Sequence, residues 1–333
     1  MKVSYLVFCY NHKRFIAAAI EAALAQTYPD MEIIIIDDGS TDGSVAEIER
    51  VLRLSRRDRV EFIRNQSNAG IQTTFNRAFA QADGDIIVWA DGDDISDHRR
   101  VERIVAYFLT DPTLQLVSSN VEAIDDNGQP LGQRYQVPRG TDNLSRFKLP
   151  HFGLLGATLA FRTALFRQFG PLQFDVQIVD RVVPFWAAIA GRIGYIHDPL
   201  VLYRRHSASL FGFRQRFTSV AAWQEHQARR NAMMIPVLRN RLAALAIGDA
   251  IYPDRRPELA DIRAATKAAL AVAEAADRIY RRSTILSKIT NTVRAFGFLP
   301  PGWRSKWGWT KQHFFPGRYL AKLQHDPAFG NEA

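Results

Sequence analysis

The first part of the chain alternates short apolar runs with segments whose apolar residues recur at helical spacing. The short runs, typical of buried strands, cover residues 3–10, 31–36, 60–63 and 86–90. In the segments between them apolar side chains recur every three or four positions, which predicts helices over residues 16–24, 45–52 and 73–82. Strands and helices that alternate in this order form right-handed crossovers and a mostly parallel sheet. The pattern therefore predicts an α/β fold.

The remaining residues follow a looser pattern that ends in long helices. A hairpin-type turn is predicted at residues 126–128, a helix over 182–191, and a strand with a turn over 193–203. From about residue 213 the chain is rich in Ala and Arg, and helices are predicted over 214–247 and 257–296. This change of character predicts an α/β domain over residues 1–212 and a helical extension over 213–333.

The composition is that of an ordinary globular protein with a basic charge. The 333 residues carry a formal net charge of +9, which suits an anionic partner such as nucleic acid, an acidic membrane or a phosphorylated substrate. Cys9 is the one cysteine, so no internal disulfide is expected, and its apolar surroundings indicate a buried thiol in a cytosolic protein. No transmembrane helix is expected, because nowhere do about 20 apolar residues follow one another. Any membrane contact is expected to be peripheral.

Acidic residues follow two of the predicted strands at the point where each strand ends. Asp37 and Asp38 follow the second strand, and Asp91, Asp93 and Asp94 follow the fourth. Because ligands of parallel sheets bind beyond the carboxyl ends of the strands, both groups are expected to face one crevice. Two carboxylates at ~5 Å repel each other by roughly 3 kcal/mol at an effective dielectric of about 20, so this crowding requires a compensating interaction.

Three interpretations of Asp91, Asp93 and Asp94 fit this segment taken alone. The segment is a solvated loop in which Asp94 caps the next helix, a site for Mg²⁺ or Mn²⁺, which prefer oxygen ligands, or an acid/base pair. The second acidic group and the polar loop over residues 65–70 favour a crevice for a nucleotide diphosphate. The chain has neither Gly-x-Gly-x-x-Gly after its first strand nor a P-loop, which argues against the two common phosphate-binding loops.

Five short segments occur in a fixed order across the predicted strand ends. They are Tyr10-Asn11, Gln26-Thr27-Tyr28-Pro29, Ile35-Ile36-Asp37-Asp38-Gly39-Ser40-Thr41-Asp42, Asn68-Ala69-Gly70 and Ala90-Asp91-Gly92-Asp93-Asp94. Together they resemble the nucleotide-sugar half of the family 2 glycosyltransferases, and the resemblance continues more faintly to residues 203–207. It implies a GT-A fold, which is a Rossmann-like α/β/α sandwich. The donor half would be residues 1–97 and the acceptor half residues 98–212.

The resemblance also implies roles for particular residues. Donor-binding residues would be Tyr10, Asn11, Asp38, Asn68 and Asp91. Among these, Asp38 would read the nucleotide base with Tyr10 near its ring, and Asp91 would lie at the ribose and sugar. For Asn68 an occupant of a left-handed turn is the alternative interpretation.

The implied metal ligands are Asp93 and His206, which would hold Mn²⁺ or Mg²⁺ on the diphosphate, and the implied general base is Asp180. Two departures from the family pattern affect these roles. Val179 stands where the family often has Glu, which leaves Asp175 as an alternative base. Phe8 stands where a small residue or proline is common beside the base pocket.

The end of the chain is basic and aromatic. Trp303, Trp307 and Trp309 are interspersed with Arg304 and Lys306. Such a segment either lies on an anionic membrane or belongs to a helical region that packs on the catalytic domain with its charges solvated.

The sequence therefore predicts an inverting, metal-dependent glycosyltransferase. It would move a sugar from a nucleotide-diphosphate sugar, most simply a UDP-sugar, to a hydroxyl of a glycan or lipid-linked acceptor. The alternatives are a metal-dependent nucleotidyltransferase or phosphohydrolase and a basic nucleic-acid-binding protein. The last of these leaves the acidic cluster unexplained, because carboxylates without a metal repel phosphates.

Overall fold

The computed structural model of the chain describes residues 1–135, 144–150, 152–206 and 219–281. Its strands are β1 (Val3–Cys9), β2 (Met31–Asp37), β3 (Val60–Arg64), β4 (Ile86–Asp91), β5 (Ile95–Ser96), β6 (Leu114–Ile124), β7 (Pro130–Tyr135), β8 (Ala160–Arg162) and β9 (Arg192–Arg204). Its α-helices are α1 (Ile16–Leu24), α2 (Ser44–Leu54), α3 (Ile71–Gln81), α4 (Arg100–Phe108), α5 (Ala164–Phe169), α6 (Val183–Ala190), α7 (Val220–Ile251) and α8 (Arg256–Arg281).

All nine of these strands belong to one sheet with the order β3-β2-β1-β4-β8-β6-β9-β5, and β7 pairs with β6. The neighbours β3, β2, β1 and β4 are parallel, as the alternating pattern predicts. Beyond them β8 runs antiparallel to both β4 and β6, while β6 and β9 are parallel. The short β8 therefore joins two parallel groups of strands into one mixed sheet.

Helices cover both faces of this sheet. Alternate residues of β1 point to opposite faces, so Leu6 and Phe8 belong to one apolar core and Tyr5 and Val7 to the other. The first core includes side chains of α3 and α6, and the second includes side chains of α1, α2 and α4. The result is the three-layer α/β/α arrangement that was predicted.

The helical extension packs on the first of these cores. Met234, Val237 and Leu238 of α7 are buried there, and Leu259 and Ile262 of α8 lie in the same cluster. Up to residue 281 the extension therefore shares the core of the α/β domain. The basic and aromatic segment around Trp303 lies outside the described residues. No helix within the described ranges is both long and apolar enough to cross a membrane.

Candidate active site

The two acidic groups lie at one edge of the sheet, beyond the ends of the strands on either side of β1. In the register of the parallel strands, Cys9 pairs with Asp37 and Phe8 pairs with Asp91. The strand ends that carry Asp37 and Asp91 are thus separated only by β1. The prediction that both acidic groups lie at one edge of the sheet is confirmed.

The side chain of Asp91 is held by a residue of its own strand, β4. The indole Nε1 of Trp89 donates a hydrogen bond of 2.7 Å to Asp91 Oδ1, and the Trp89 ring packs against Phe8 and Phe75. Burial, together with the neighbouring charge of Asp93, raises the pKa of Asp91 to about 7 against the opposing effect of the Trp89 hydrogen bond. A carboxyl with this pKa exchanges its proton near neutrality.

Asp93 has two imidazoles beside it. His206 Nε2 lies 3.0 Å from Asp93 Oδ2, and His12 Nε2 lies 3.9 Å from the same oxygen. Burial raises the pKa of Asp93, but the hydrogen bond with His206 and the field of His12 outweigh burial and lower it overall. His12 follows Tyr10-Asn11 directly, and the sequence analysis did not select it. At Gly92 a β-carbon would lie 2.9 Å from His12 Nδ1 and 2.7 Å from the Phe8 carbonyl, so only glycine fits there.

Asp94 turns inward and accepts a hydrogen bond of 2.7 Å from the Arg204 backbone amide. The interpretation of Asp94 as a helix cap is wrong, because Arg99 is the N-cap of α4. Asp94 Oδ2 is buried and has no hydrogen-bond partner among the described residues. Burial and the charges of Asp93 and Asp91 raise the pKa of Asp94 well above its usual value.

These three carboxylates fit a divalent metal ion. One oxygen from each of Asp91, Asp93 and Asp94 lies within 4.8 Å of the others. Hard oxygen ligands in such a cluster suit Mg²⁺ or Mn²⁺, and an imidazole beside one of them is compatible with Mn²⁺. The unpartnered oxygen of Asp94 and the proximity of three like charges are features that a bound cation would compensate.

Beneath the cluster lies Arg100, a fully buried guanidinium that the sequence analysis also missed. It donates hydrogen bonds to the carbonyls of Trp89 and Ala157 and to Ser96 Oγ. Its charge lowers the pKa of both Asp91 and Asp94, although more weakly than burial raises them. Arg100 therefore supplies part of the compensation that the crowded carboxylates require.

The carboxylate of Asp38 accepts hydrogen bonds from other residues of the protein. Its Oδ1 accepts hydrogen bonds from Asn65 Nδ2 at 2.9 Å and from the Ala69 amide at 2.8 Å, and its Oδ2 accepts one from the Gly70 amide at 3.1 Å. Asp38 is 6% exposed and fixes the loop that leads into α3. Its role in reading the base stays a prediction.

Asn68 does not adopt the left-handed conformation considered above, since it is not among the residues with positive φ. Its Oδ1 accepts a 3.0 Å hydrogen bond from the Gly70 amide instead.

Tyr10 and Asn11 follow the end of β1, between the strand ends that carry Asp37 and Asp91. Tyr10 is 44% exposed, so its ring is accessible to a ligand. Asn11 has a φ of 56° and is held by two hydrogen bonds, one from its amide to Ser40 Oγ and one from the Thr41 amide to its Oδ1. Phe8 lies in the apolar core, where its ring stacks on Phe75 with centroids 3.8 Å apart.

Asp180 lies in the 3-10 turn Val179–Arg181, which leads into α6. Its Oδ1 is buried without a hydrogen-bond partner in the described part of the chain. Burial raises its pKa to about 6, against the opposing effects of the Arg181 charge and the Gly156 amide. The charge of Asp180 in turn raises the pKa of Asp91, so the two carboxylates are close enough to interact. Asp175, the alternative base, is exposed.

The fold and this edge of acidic side chains are those of a GT-A glycosyltransferase, and comparisons with known proteins agree. S. aureus TarS, solved in complex with UDP-GlcNAc, superposes with a TM-score of 0.54 at 14% identity over 90% of each chain. The mannosyltransferase PcManGT from Pyrobaculum calidifontis, solved with GDP-Man and Mn²⁺, superposes with a TM-score of 0.51 at 20% identity over 99% of this chain and 88% of that one. At these identities the similarity establishes the fold.

Sequence comparison establishes the family. The model described as "Glycosyl transferase family 2" matches residues 4–170. An uncharacterised glycosyltransferase of Nostoc sp. is 29% identical over 245 residues, which cover 70% of this chain and 72% of that protein. The chain belongs to glycosyl transferase family 2, and it is a glycosyltransferase.

Proposed function

We propose that this protein transfers a sugar from a nucleotide-diphosphate sugar, most simply a UDP-sugar, to a hydroxyl group of a glycan or lipid-linked acceptor, with inversion at the anomeric carbon. One observation carries the proposal. The carboxylates of Asp91, Asp93 and Asp94 converge within 4.8 Å at the ends of parallel strands, and the buried carboxyl of Asp180 lies within the electrostatic reach of Asp91. This arrangement offers one group for the diphosphate and one for the acceptor.

On the donor side, Asp93 and His206 would hold a divalent ion, and Asp91 would face the ribose and sugar. A bound Mn²⁺ or Mg²⁺ acts as a Lewis acid that stabilises negative charge on the departing nucleotide diphosphate. Tyr10, Asn11 and the loop that contains Asn68 would surround the nucleotide. The complexes of TarS with UDP-GlcNAc and of PcManGT with GDP-Man and Mn²⁺ support this assignment.

On the acceptor side, Asp180 serves as the general base. Its pKa of about 6 leaves the carboxylate mostly ionised at neutral pH and able to accept a proton. Asp180 takes the proton from the acceptor hydroxyl while that oxygen forms a bond to the anomeric carbon. At the same time the bond from this carbon to the diphosphate oxygen breaks, and both electrons leave with the nucleotide. One displacement of this kind inverts the anomeric centre and requires no covalent intermediate.

Burial and pKa favour Asp180 over Asp175 as the base. Asp180 is half-buried, with its Oδ1 inaccessible to solvent, whereas Asp175 is exposed on the preceding loop. Desolvation strengthens a carboxylate as a base, and an exposed carboxylate lacks this advantage.

Contact with an anionic membrane stays a proposal based on the sequence alone. It rests on the aromatic and basic residues around Trp303, and it would suit a lipid-linked acceptor.

Calorimetric titration with UDP, in the presence and absence of Mn²⁺, tests the donor site. Binding that requires the metal and is lost in Asp93→Ala is expected. Asp83→Ala is the matched control, because Asp83 lies near the opposite end of β4 with its side chain 65% exposed. If UDP, GDP and dTDP all fail to bind in a metal-dependent way, the proposed metal-dependent donor site is wrong. Product analysis distinguishes the chemistry, since a phosphohydrolase would release UMP where a transferase releases UDP.

A further inference from the structure

Arg241 of α7 is a fully buried guanidinium bonded to carbonyl groups. Its Nη2 donates to the carbonyls of Phe152 at 2.6 Å and Arg181 at 3.0 Å. Its Nε donates to Arg181 O at 3.1 Å, and its Nη1 donates to Pro150 O at 3.4 Å. The rings of Phe147 and Phe185 each lie 5.2 Å from its guanidinium carbon.

The charge of Asp180 offsets only part of the cost of burying this guanidinium. Within the described residues no Asp or Glu lies at ion-pair distance from Arg241. Burial and the nearby charge of Arg181 lower the pKa of Arg241 to about 9. Leu238 and Leu245 show that this region of α7 can pack with apolar side chains, which need no desolvation of a charge. If this position served only packing, an apolar residue would fill it without the desolvation free energy that a buried arginine costs.

The carbonyls that bind Arg241 belong to the two segments that surround Asp180. Arg181 directly follows Asp180, and the Leu154 amide donates a hydrogen bond of 3.4 Å to the Asp180 carbonyl. Gly153 packs so closely on this turn that a β-carbon would lie 2.7 Å from Arg181 Cγ. Arg241 therefore connects the turn that carries Asp180 to the carbonyls of Pro150 and Phe152.

Its neighbour on α7 holds the chain that precedes the turn. The Gln173 amide donates a hydrogen bond of 2.9 Å to Asn240 Oδ1, and Asn240 Nδ2 donates back to the Gln173 carbonyl. Two successive residues of the helical extension thus fix both approaches to Asp180. In the described part of the structure, no comparable hydrogen bonds run from the helical extension to the acidic cluster.

We propose that Arg241 is a positioning residue for glycosyl transfer, which holds the Asp180 turn in the orientation that lets its carboxylate reach the acceptor hydroxyl. This role makes α7 a part of the catalytic machinery. It rests on the proposed function of Asp180 as the general base. Because a small misplacement of a catalytic group lowers the rate strongly, loss of these bonds affects turnover and leaves donor binding intact.

The charge of Arg241 also acts on Asp180. The groups that influence the Asp180 carboxyl are Arg181, Arg241, the Gly156 amide and the negative charge of Asp91. Removing the positive charge of Arg241 raises the pKa of Asp180, so the acidic limb of the rate against pH moves to higher pH. A purely structural brace would leave this limb in place.

The test compares Arg241→Ala and Arg241→Lys with Arg239→Ala. Arg239 lies on the same helix, is exposed and pairs with Glu274 at 2.9 Å, so its loss is a control for changes on α7. The measurements are UDP release from the preferred UDP-sugar as a function of pH and the calorimetric affinity for UDP with Mn²⁺. The rate of Arg241→Ala is expected to fall by about 30-fold or more, with UDP affinity changed by less than about twofold.

Chemical rescue adds a second readout. Guanidinium chloride at a few tens of millimolar is expected to restore part of the Arg241→Ala rate, because the space between two aromatic rings and three carbonyls matches that ion. Sodium chloride at the same concentration should not. Arg241→Lys keeps the charge and is expected to show a smaller loss of rate and an unshifted acidic limb. It also keeps the test decisive if Arg241→Ala does not fold.

The proposal is overturned if Arg241→Ala turns over UDP-sugar at the wild-type rate. It is equally overturned if rate and UDP affinity fall together, with no shift in the acidic limb and no rescue by guanidinium. Asp180→Asn separates the two levels of inference. If Asp180→Asn retains the wild-type rate, the proposed base is wrong. If it loses the rate while Arg241→Ala does not, only the role of Arg241 is wrong.

Discussion

The proposed donor side, around Asp91, Asp93 and Asp94, and the proposed acceptor side, around Asp180, are built in different ways. On the donor side, Asp91, Asp93 and Asp94 follow directly from the end of β4, and the bond to Asp91 comes from Trp89 on the same strand. On the acceptor side, Asp180 lies in a short turn that is held by Arg241, 60 residues away from Arg181 in the chain. The comparison teaches that the donor site is a property of the sheet, whereas the acceptor site depends on how α7 packs.

The largest expected effect is the loss of rate when the proposed general base, Asp180, is removed. Asp180→Asn removes the proton acceptor while the side-chain volume is kept, so the rate of UDP release in the presence of acceptor is expected to fall about 10³-fold. Asp175→Asn is the control and is expected to change the rate by less than about twofold, because this side chain is exposed. A loss of rate in Asp175→Asn with no loss in Asp180→Asn would exchange the two assignments.

The next effect concerns protons on the donor side. Below pH about 7 the Asp91 carboxyl binds a proton and no longer places a negative charge beside the proposed metal ligand Asp93, and the pKa of Asp94 is raised as well. The affinity for Mn²⁺ is therefore expected to rise with pH up to about 7, by as much as tenfold per pH unit for each proton released, and then to level off. Titration of Mn²⁺ between pH 5.5 and 8 measures it. An affinity that stays constant across this range would contradict the buried, protonated cluster.

The smallest effect sharpens the assignment of one hydrogen bond on the donor side. Trp89→Phe removes the indole N–H that donates to Asp91 Oδ1 and retains an aromatic ring beside Phe8 and Phe75. Affinity for UDP with Mn²⁺ is expected to fall about tenfold, as is usual for the loss of a hydrogen bond to a charged group. Trp186→Phe, which alters a buried ring stacked on Phe169, should leave this affinity unchanged. Equal losses in the two variants would show that the effect is one of packing.

The donor side could be predicted from the sequence because its information is local. A buried strand ends where its apolar run ends, and parallel strands place such ends at one edge, so the position of Asp37 beside the Asp91 group follows from the pattern. The parallel pairing of β3, β2, β1 and β4 follows in the same way. The resemblance then supplied the family, which the match over residues 4–170 confirms.

The long-range contacts that hold both sides of the site could not be predicted in this way, because their information is tertiary. No local pattern marks Arg241 or Arg100 as buried, since arginine in an Ala-rich helix normally faces solvent. His12 had a weak signal in its position after Tyr10-Asn11, and the carbonyls that hold Asp180 have no sequence signal at all. The hydrogen bonds that Asp38 accepts from the 65–70 loop also join residues that are 27 to 32 positions apart in the chain.

If the two proposed sides serve separate steps, loss of the general base should leave donor binding intact. One binding measurement tests this separation. Calorimetric titration of UDP with Mn²⁺ into Asp180→Asn and Asp93→Asn should give wild-type affinity for the first variant and no metal-dependent binding for the second. Separate roles for Asp93 and Asp180 are ruled out if Asp180→Asn loses UDP binding as Asp93→Asn does, or if Asp93→Asn binds UDP as the wild type does.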